Sequence, residues 1–353
     1  MPTYREADNL RPLVERIARS MRAAGRAFEV IVVDDDSRDG TEQICRELAG
    51  EGHPLRLITR VGQRGLSSAV IRGFEESADG ADLACMDADL SHPPEALPRL
   101  LEELGRPGVE FVIGSRYVPG ASTAKDWGAF RRLNSKVASL LARPFTRVKD
   151  PMAGFFALRR SVFERCDRLN PIGYKIGLEI IVKGRCGQVR EVPICFADRT
   201  AGQSKMTVRE QMNYLRHLKR LAEYKFGAVV RLLEFCAVGA TGMVVDLTTY
   251  ALLLTAGLLL PAARAIAILT AMTWNFALNR RVTFADRERS GVLGQYLRFV
   301  LSCSLGALLS WSVAVGLPAA ASWFADHVYA AALLGIVLGT GCNFLLSLGW
   351  VFR

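Results

Sequence analysis

Asp87 and Asp89 are the residues of this chain best placed to do chemistry. They flank Ala88 and follow Asp82-Leu83-Ala84-Cys85-Met86, a short apolar run that reads as a strand. Strand side chains alternate with a period of two, so the two carboxylates point the same way. Paired carboxylates beside a loop can hold a hard divalent ion, Mg²⁺ or Mn²⁺. Such an ion would neutralise a diphosphate and stabilise it as a leaving group. An Asp-x-Asp pair alone is common by chance; its place after a strand and before Leu90-Ser91-His92-Pro93-Pro94 makes this one specific. A second acidic cluster, Asp34-Asp35-Asp36, closes the β-branched run from Glu29 to Val33. It reads either as a second part of the same site or as the polar termination of a strand.

The elements that must position these acids alternate. Strand-like runs at Glu29–Val33, Leu55–Ile58, Asp82–Met86 and Phe111–Gly114 are separated by helical stretches at about Ala7–Ala24, Gly40–Ala49, Gly65–Ser77 and Glu95–Leu104. That alternation predicts an α/β fold with a doubly wound, mostly parallel sheet. In such sheets ligands bind beyond the carboxyl ends of the strands, where both acidic clusters lie. The opening Pro2-Thr3-Tyr4-Arg5-Glu6 reads as a loop leaving a strand that is itself missing, so the natural start is expected a few residues upstream.

The composition shifts at about Arg231. The 353 residues are half apolar, and most of the apolar excess falls after Leu232. Four segments there are about Leu233–Leu260, Ala262–Phe284, Leu297–Leu317 and Val328–Val351. Each is long enough to cross a hydrocarbon layer about 30 Å thick. The link between the second and third carries Arg280, Arg281, Arg287, Arg289 and Arg298. That charge places the link in the cytoplasm, with the first half on the same side. No signal peptide precedes that half, so a cytoplasmic catalytic domain in the cell membrane is expected. Residues 206–231 interleave Arg209, Arg216, Lys219, Arg220 and Lys225 with Met212, Tyr214, Leu215, Leu218, Leu221 and Tyr224. They read either as basic amphipathic helices on the membrane face or as a solvated linker. The expected organisation is therefore 1–205, 206–231 and 232–353.

A net charge of +10 suits anionic lipid or phosphate-bearing substrates. No zinc-finger spacing, helix-turn-helix signal or RNA-binding aromatic motif is present, so nucleic acid is not expected as a partner. The eight cysteines form no Cys-x-x-Cys pair and read as small core residues. Asp246, Asn275 and Asn343 are polar intruders in the apolar segments. They read as functional residues or as helix-to-helix hydrogen bonds, and Gly335 to Gly339 fits a close-packing small-residue motif.

The motifs Pro2-Thr3-Tyr4-Arg5-Glu6, Val33-Asp34-Asp35-Asp36-Ser37 with Asp39-Gly40-Thr41, Asp87 to Pro93, Gly114-Ser115-Arg116-Tyr117 and Arg199 to Lys205 resemble family-2 inverting glycosyltransferases. More narrowly they resemble the dolichol-phosphate mannose synthase and polyprenyl-phosphate glycosyltransferase group. The resemblance covers about the first 230 residues. The second half resembles the GtrA-type four-helix membrane domain through Phe235 to Asp246, Thr273-Trp274-Asn275-Phe276 with Asn279-Arg280-Arg281, and Asn343-Phe344. This implies a GT-A-like catalytic fold followed by an all-α transmembrane domain of four helices. It implies a nucleotide sugar and a polyprenyl phosphate as partners, and a divalent metal.

Residue by residue, the resemblance implies that Pro2, Tyr4 and Glu6 line the nucleotide pocket, with Asp34 and Asp36 near base and ribose. Asp87 would sit near the ribose and diphosphate, and Asp89 would be the principal metal ligand. Ser91 stands where relatives often carry glutamine, so it is either a ligand through water or a lost ligand. Arg116 and Arg131 would receive the acceptor phosphate, with Lys125 and Arg132 as lesser cations, since the guanidinium fork suits phosphate. Arg199 and Lys205 would clamp the donor diphosphate on a loop bent at Gly202. Asp150 would orient an arginine or contact the sugar. The segment from Gly173 to Glu179 would lie near the sugar, or be a structural helix.

The implied reaction is transfer of a hexose, mannose from GDP-mannose, to a polyprenyl monophosphate with inversion. UDP-glucose or a UDP-aminosugar is the alternative donor. A lipid monophosphate is already anionic and needs little help from a general base, so the lack of a persuasive base is expected. A transport role for the membrane half, motivated by Asp246, and a non-catalytic sugar-nucleotide sensor, motivated by Ser91, are the readings of other classes.

Overall fold

The computed structural model describes residues 1–123, 129–170, 172–173, 175–197, 208–284 and 291–352. Met1–Lys225 forms one compact unit and Phe226–Arg353 a second.

The first unit opens with β1 (Pro2–Thr3), α1 (Ala7–Ala23), β2 (Val30–Asp34), α2 (Thr41–Gly50), β3 (Leu55–Thr59) and α3 (Leu66–Glu75). It continues through β4 (Leu83–Cys85), α4 (Leu97–Leu104), β5 (Val109–Ser115), β6 (Ser122–Thr123), α5 (Ala129–Leu141), β7 (Phe156–Leu158), α6 (Arg160–Glu164), α7 (Ile176–Lys183), β8 (Gln188–Pro193) and β9 (Cys195–Phe196). Strands β1, β2 and β3 run parallel in that order. The short segment expected as a loop is thus a strand: Pro2 pairs with Val33 and Thr3 with Asp34. The Met1 ammonium donates to Ile31 O at 2.8 Å, so backbone groups that would be stranded in a core are satisfied.

A second sheet has the order β4-β7-β5-β8. Only its β5–β8 pair is parallel; β7 runs antiparallel to both β4 and β5. The expectation of a mostly parallel sheet therefore holds for the first sheet, and the second is mixed. The cause is β7, three residues long and wholly buried, too short to show a period-two pattern in sequence.

Helix α1 buries Leu10, Leu13, Val14, Ile17 and Met21 against Val30 and Val32 of β2 and Leu100 and Leu104 of α4. This is the i, i+3, i+4, i+7 stripe of an amphipathic helix. Phe111, Ile113, Phe156 and Leu158 build the second core cluster with Val70, Phe74, Ile176 and Ile180. Phe111 and Phe156 are among the largest fully buried side chains. Truncating either to alanine would cost about 3–5 kcal/mol by cavity formation, read as a drop in a denaturant melt. The cysteines are all unpaired. Burial pushes the Cys45 thiol up to about 11 and Cys85 to about 12, as inert core residues.

Helix α8 (Val208–Thr255) loses helical geometry at Phe226. Before that point Leu218 and Leu221 pack with Ala142, Met152, Leu178 and Val182, and the Tyr214 hydroxyl donates to Ala138 O at 2.6 Å. Part of the apolar face of the basic segment is thus spent on the first unit's own core, while Met212 and Leu215 stay exposed.

The second unit comprises the rest of α8, α9 (Leu260–Leu278), α10 (Val292–Ala320), α11 (Ser322–Asp326) and α12 (Val328–Leu346). Helices α9 and α12 each run into a π-helical turn, Asn279–Thr283 and Ser347–Val351. Among the described residues three stretches are long and apolar enough to cross a membrane: Glu210–Thr255, Val292–Ala320 and Leu334–Val351. Helix α9, with Thr270, Thr273 and Asn275, is not one of them. Leu252, Leu308 and Trp311 point outward, more than half exposed, as lipid-facing side chains do.

Candidate active site

Sheet register brings the acidic loop and a cation to one edge. Cys85 of β4, Phe156 of β7 and Ile113 of β5 lie in one row. Because β7 is antiparallel to its neighbours, the chain two residues after Cys85, two before Phe156 and two after Ile113 continues past the same edge. Those residues are Asp87, Gly154 and Ser115.

Asp89 is 5% exposed, and its Oδ1 accepts from the Ser91 amide at 3.1 Å and the Ser91 hydroxyl at 2.5 Å. The turn that allows this puts Leu90 at φ 60°, in the left-handed region. Ser91, fully buried, thus spends its hydroxyl on orienting Asp89. A Cβ at Gly154 would stand 3.1 and 3.2 Å from the two Asp87 carboxylate oxygens, so a residue without a side chain leaves room around that carboxylate. Among the described residues no group of three His, Cys, Asp or Glu side chains could hold a metal; the two carboxylates are the hard donors here.

His92 stacks on Phe155 and meets Phe196 edge-on, both at 5.3 Å between ring centres. Burial lowers its pKa, against the pull of Asp87 and Asp89. It is a neutral wall of the acidic loop, and its Nδ1 accepts from the Asp87 amide at 3.3 Å.

Arg116 follows β5 and is locked. Its Nε and Nη2 donate to the two oxygens of Asp150 at 2.8 Å each, and its backbone amide adds a third bond at 3.0 Å. Asp150 is fully buried and the arginine side chain 13% exposed. Burial disfavours the guanidinium charge, but the Asp150 bonds and charge more than offset this, and the net pKa is raised. The Asp150 amide donates in turn to Glu191 at 3.0 Å. Upstream, Gly114 is required by packing, since a Cβ there would come within 2.6 Å of Phe155.

Lys175 joins this group from the start of α7. Its Nζ, part-buried, donates to Met152 O at 3.4 Å. Burial, reinforced by Arg116 and opposed by Asp150 and Asp87, lowers its pKa to about 7. Further along α7, Glu179 is 1% exposed and accepts from Lys183 at 2.6 Å and the Asn170 amide at 2.9 Å, a structural role.

A second feature lies past the carboxyl ends of β1–β3. A cavity of about 490 Å³ is lined by Tyr4, Arg5, Asp36, Ser37, Arg38, Asp39 and Arg64. The Arg64 guanidinium sits 4.7 Å from the centre of the Tyr4 ring, with Arg5 at 5.3 Å, both within cation–π range. Asp36 accepts from Arg38 at 2.9 Å. Asp34 turns inward and is capped by the Ser37 amide at 2.8 Å and by its hydroxyl. Asp35 is buried in an ion pair with Arg60 and also receives the Gly65 amide at 2.8 Å.

Residues 1–167 match the family described as glycosyl transferase family 2. Residues 234–352 match the GtrA/DPMS transmembrane domain. The dolichol-phosphate mannosyltransferase of Pyrococcus furiosus is 38% identical over 98% of this chain and 96% of its own length. The chain belongs to the dolichol-phosphate mannosyltransferase family. Relatives of the same name from Mycosarcoma maydis and Saccharomyces cerevisiae are 43% and 42% identical, each over 65% of this chain and over 80% and 87% of their own. Among solved structures, mannosyl-3-phosphoglycerate synthase from Rubrobacter xylanophilus aligns with 63% of this chain and 72% of its own, at 20% identity and a TM-score of 0.49. The chain is a glycosyltransferase and a membrane protein.

Within this dolichol-phosphate mannosyltransferase family member, Asp87, Asp89, Ser91 and Arg116 meet at one sheet edge with Asp150 and Lys175. Tyr4 and Asp36 line the separate cavity past β1–β3. Pro2 is buried in β1, Glu6 accepts from Asn9 at 2.6 Å at the start of α1, and Asp34 braces its own turn. Arg199, Gly202, Lys205 and Lys125 lie outside the described residues, as do the side chains of Arg131 and Arg132. Sequence reading passed over Arg64, Arg60 and the bracing role of Asp35, and it named Lys175 only as part of the segment from Gly173 to Glu179, without its shifted pKa. Arg64 sits in the unpatterned loop before α3, and only folding brings it over Tyr4.

Proposed function

We propose that this chain transfers a mannosyl group from GDP-mannose to a polyprenyl monophosphate, inverting the anomeric centre, with the catalytic unit on the cytoplasmic side of the cell membrane. The observation that carries the reading is Arg116, a cation fixed by buried Asp150 within electrostatic reach of Asp87. An anionic acceptor aligned by such a cation needs positioning and charge neutralisation more than a base.

Asp87 and Asp89 would hold Mg²⁺ or Mn²⁺. Two carboxylates fit the hard-donor preference of these ions, which commonly complete their shell with substrate phosphate oxygens. When bound, the ion would neutralise charge on the departing diphosphate. Arg116 and Arg131 receive the acceptor phosphate, and Arg199 and Lys205 clamp the donor diphosphate. Tyr4, Asp36 and Arg64 take the base and ribose in the cavity past β1–β3, and ring stacking with a flanking guanidinium suits a nucleobase. Four membrane crossings, with Arg280 to Arg298 in a cytoplasmic link, complete the topology.

The test is direct. Purified full-length protein with Mn²⁺ and polyprenyl phosphate is offered GDP-mannose, UDP-glucose and UDP-N-acetylglucosamine in parallel. The expected product is a β-linked mannosyl lipid from GDP-mannose alone, identified by mass spectrometry and NMR. Product from a UDP-sugar alone would transfer the reading to that donor, and no product from any of them would sink it.

Lys175 gives the donor step a pH dependence. It is charged below about pH 7 and neutral above it, and the donor diphosphate favours the charged form. The KM for GDP-mannose is expected to rise as pH increases from about 6 to about 8, with a flat profile in Lys175→Met. For stability the sign follows from linkage. With the folded pKa at about 7 and the ordinary value at 10.5, the unfolded chain binds more protons between them. Stability therefore rises with pH through that window, and Lys175→Met removes the slope.

A further inference from the structure

Residues 142–155, between α5 and β7, contain no helix and no strand. No ladder fixes their path, so their backbone amides need other partners. Side chains supply partners at three successive residues. Val148 N donates to the Thr146 hydroxyl at 3.4 Å, Lys149 N to one Glu191 oxygen at 2.8 Å and Asp150 N to the other at 3.0 Å. One carboxylate thus takes two neighbouring amides. A carboxamide in its place would offer one acceptor and turn its own donors toward the second amide.

Glu191 lies within β8, which pairs in parallel with β5 and sets Glu191 beside Ile113. It is half-buried, and strand alternation puts it on the face opposite Val192, a member of the first core cluster. A paired strand places a side chain more exactly than a loop does, so Glu191 ties an irregular stretch to the sheet. Both of its bonds are charge-assisted, the stronger class of hydrogen bond. The stretch it ties carries Asp150. That residue is fully buried, and its two oxygens take the Nε, Nη2 and backbone amide of Arg116. The guanidinium carbon of Arg116 also stands 5.4 Å from the Tyr117 ring centre and 5.3 Å from that of Phe196.

We infer that Glu191 is a positioning residue for acceptor transfer. It fixes the backbone of Asp150, and Asp150 sets the direction in which Arg116 presents its guanidinium to the acceptor phosphate. Glu191 acts through Asp150 and not on a substrate. This role rests on the acceptor contact proposed above for Arg116, since only an aimed cation makes the brace matter to transfer. A planar fork that grips a phosphate by paired bonds depends on its direction, where a point charge does not. A misplacement of about 1 Å at the reacting groups costs up to about a hundredfold in rate. Loosening a residue two hydrogen-bonded steps from the cation therefore reaches the chemistry.

Glu191→Gln in the full-length protein, assayed with Mn²⁺, tests the role. At saturating GDP-mannose, kcat/KM for polyprenyl phosphate is expected to fall by between about tenfold and about a hundredfold. The Kd of GDP, read by calorimetry on the same preparation, should not change. On an Arg116→Lys background the same substitution should cost much less. The ammonium lacks the fork that Asp150 orients, and effects that act through one residue do not add. An equal loss on both backgrounds, a GDP Kd that weakens in step, or an unchanged kcat/KM would each overturn the role. Arg116→Lys alone separates this failure from that of the acceptor reading. If it leaves kcat/KM for the lipid phosphate intact, the acceptor contact of Arg116 falls, and the role of Glu191 with it. If it lowers that value while Glu191→Gln does not, only the role of Glu191 falls. Should Glu191→Gln not accumulate, Glu191→Asp, whose carboxylate ends one methylene short of the two amides, carries the same comparison with the same expected direction.

Discussion

Asp89→Asn is expected to lower kcat/KM for glycosyl transfer by about two to three orders of magnitude, the range seen when one preorganised electrostatic contact to the developing charge is removed. The fold should survive. The substituted carboxamide would keep an oxygen to accept from the Ser91 amide and hydroxyl, as the native carboxylate does. The negative charge is what the substitution removes, and with it the attraction for a divalent ion. Ser91→Ala should be milder, because it leaves the carboxylate and its bond from the residue 91 amide. Steady-state rates across a Mn²⁺ titration, with a circular-dichroism melt of each variant, separate the cases. An Asp89→Asn enzyme with unchanged metal-dependent turnover would remove Asp89 from the metal site.

Asp150→Ala is expected to be the most destabilising single change near the site. It removes the buried carboxylate that takes two bonds from the Arg116 guanidinium, at a cost of about 3–5 kcal/mol. Activity should fall with it, since the paired bonds that orient the guanidinium are lost. The double variant Arg116→Met with Asp150→Leu distinguishes structure from function. Exchanging a buried ion pair for apolar side chains is often neutral or stabilising, so stability should largely return while transfer to the lipid phosphate stays lost. Recovery of both would show that the pair is only a brace. Thermal melts and transfer assays on the same preparations read the two quantities.

The division of labour between sequence and tertiary structure is physical. Local patterns are set by local sterics and by which face must be buried, and so they were legible. The strand before Asp87, the i, i+3, i+4 stripe of α1, the apolar segments of the second unit and the acidic and arginine motifs all lie within a few consecutive residues. The family followed from their order along the chain, and the matches over residues 1–167 and 234–352 agree with it.

What the local patterns lacked was register and long-range pairing. Asp150 is 34 residues from Arg116, and the two meet only because antiparallel β7 lies between β4 and β5. Lys175 acquires its lowered pKa from groups far apart in the chain, and Arg64 reaches Tyr4 across a turn of the fold. The asparagines that read as isolated polar intruders became pairs once Gly242 and Gly306 were seen against them. The position of Asp87 and Asp89 after β4 was legible because a single strand and the turn after it suffice to place them. Their neighbours were not, since each comes from a different element and burial and charge depend on what packs there.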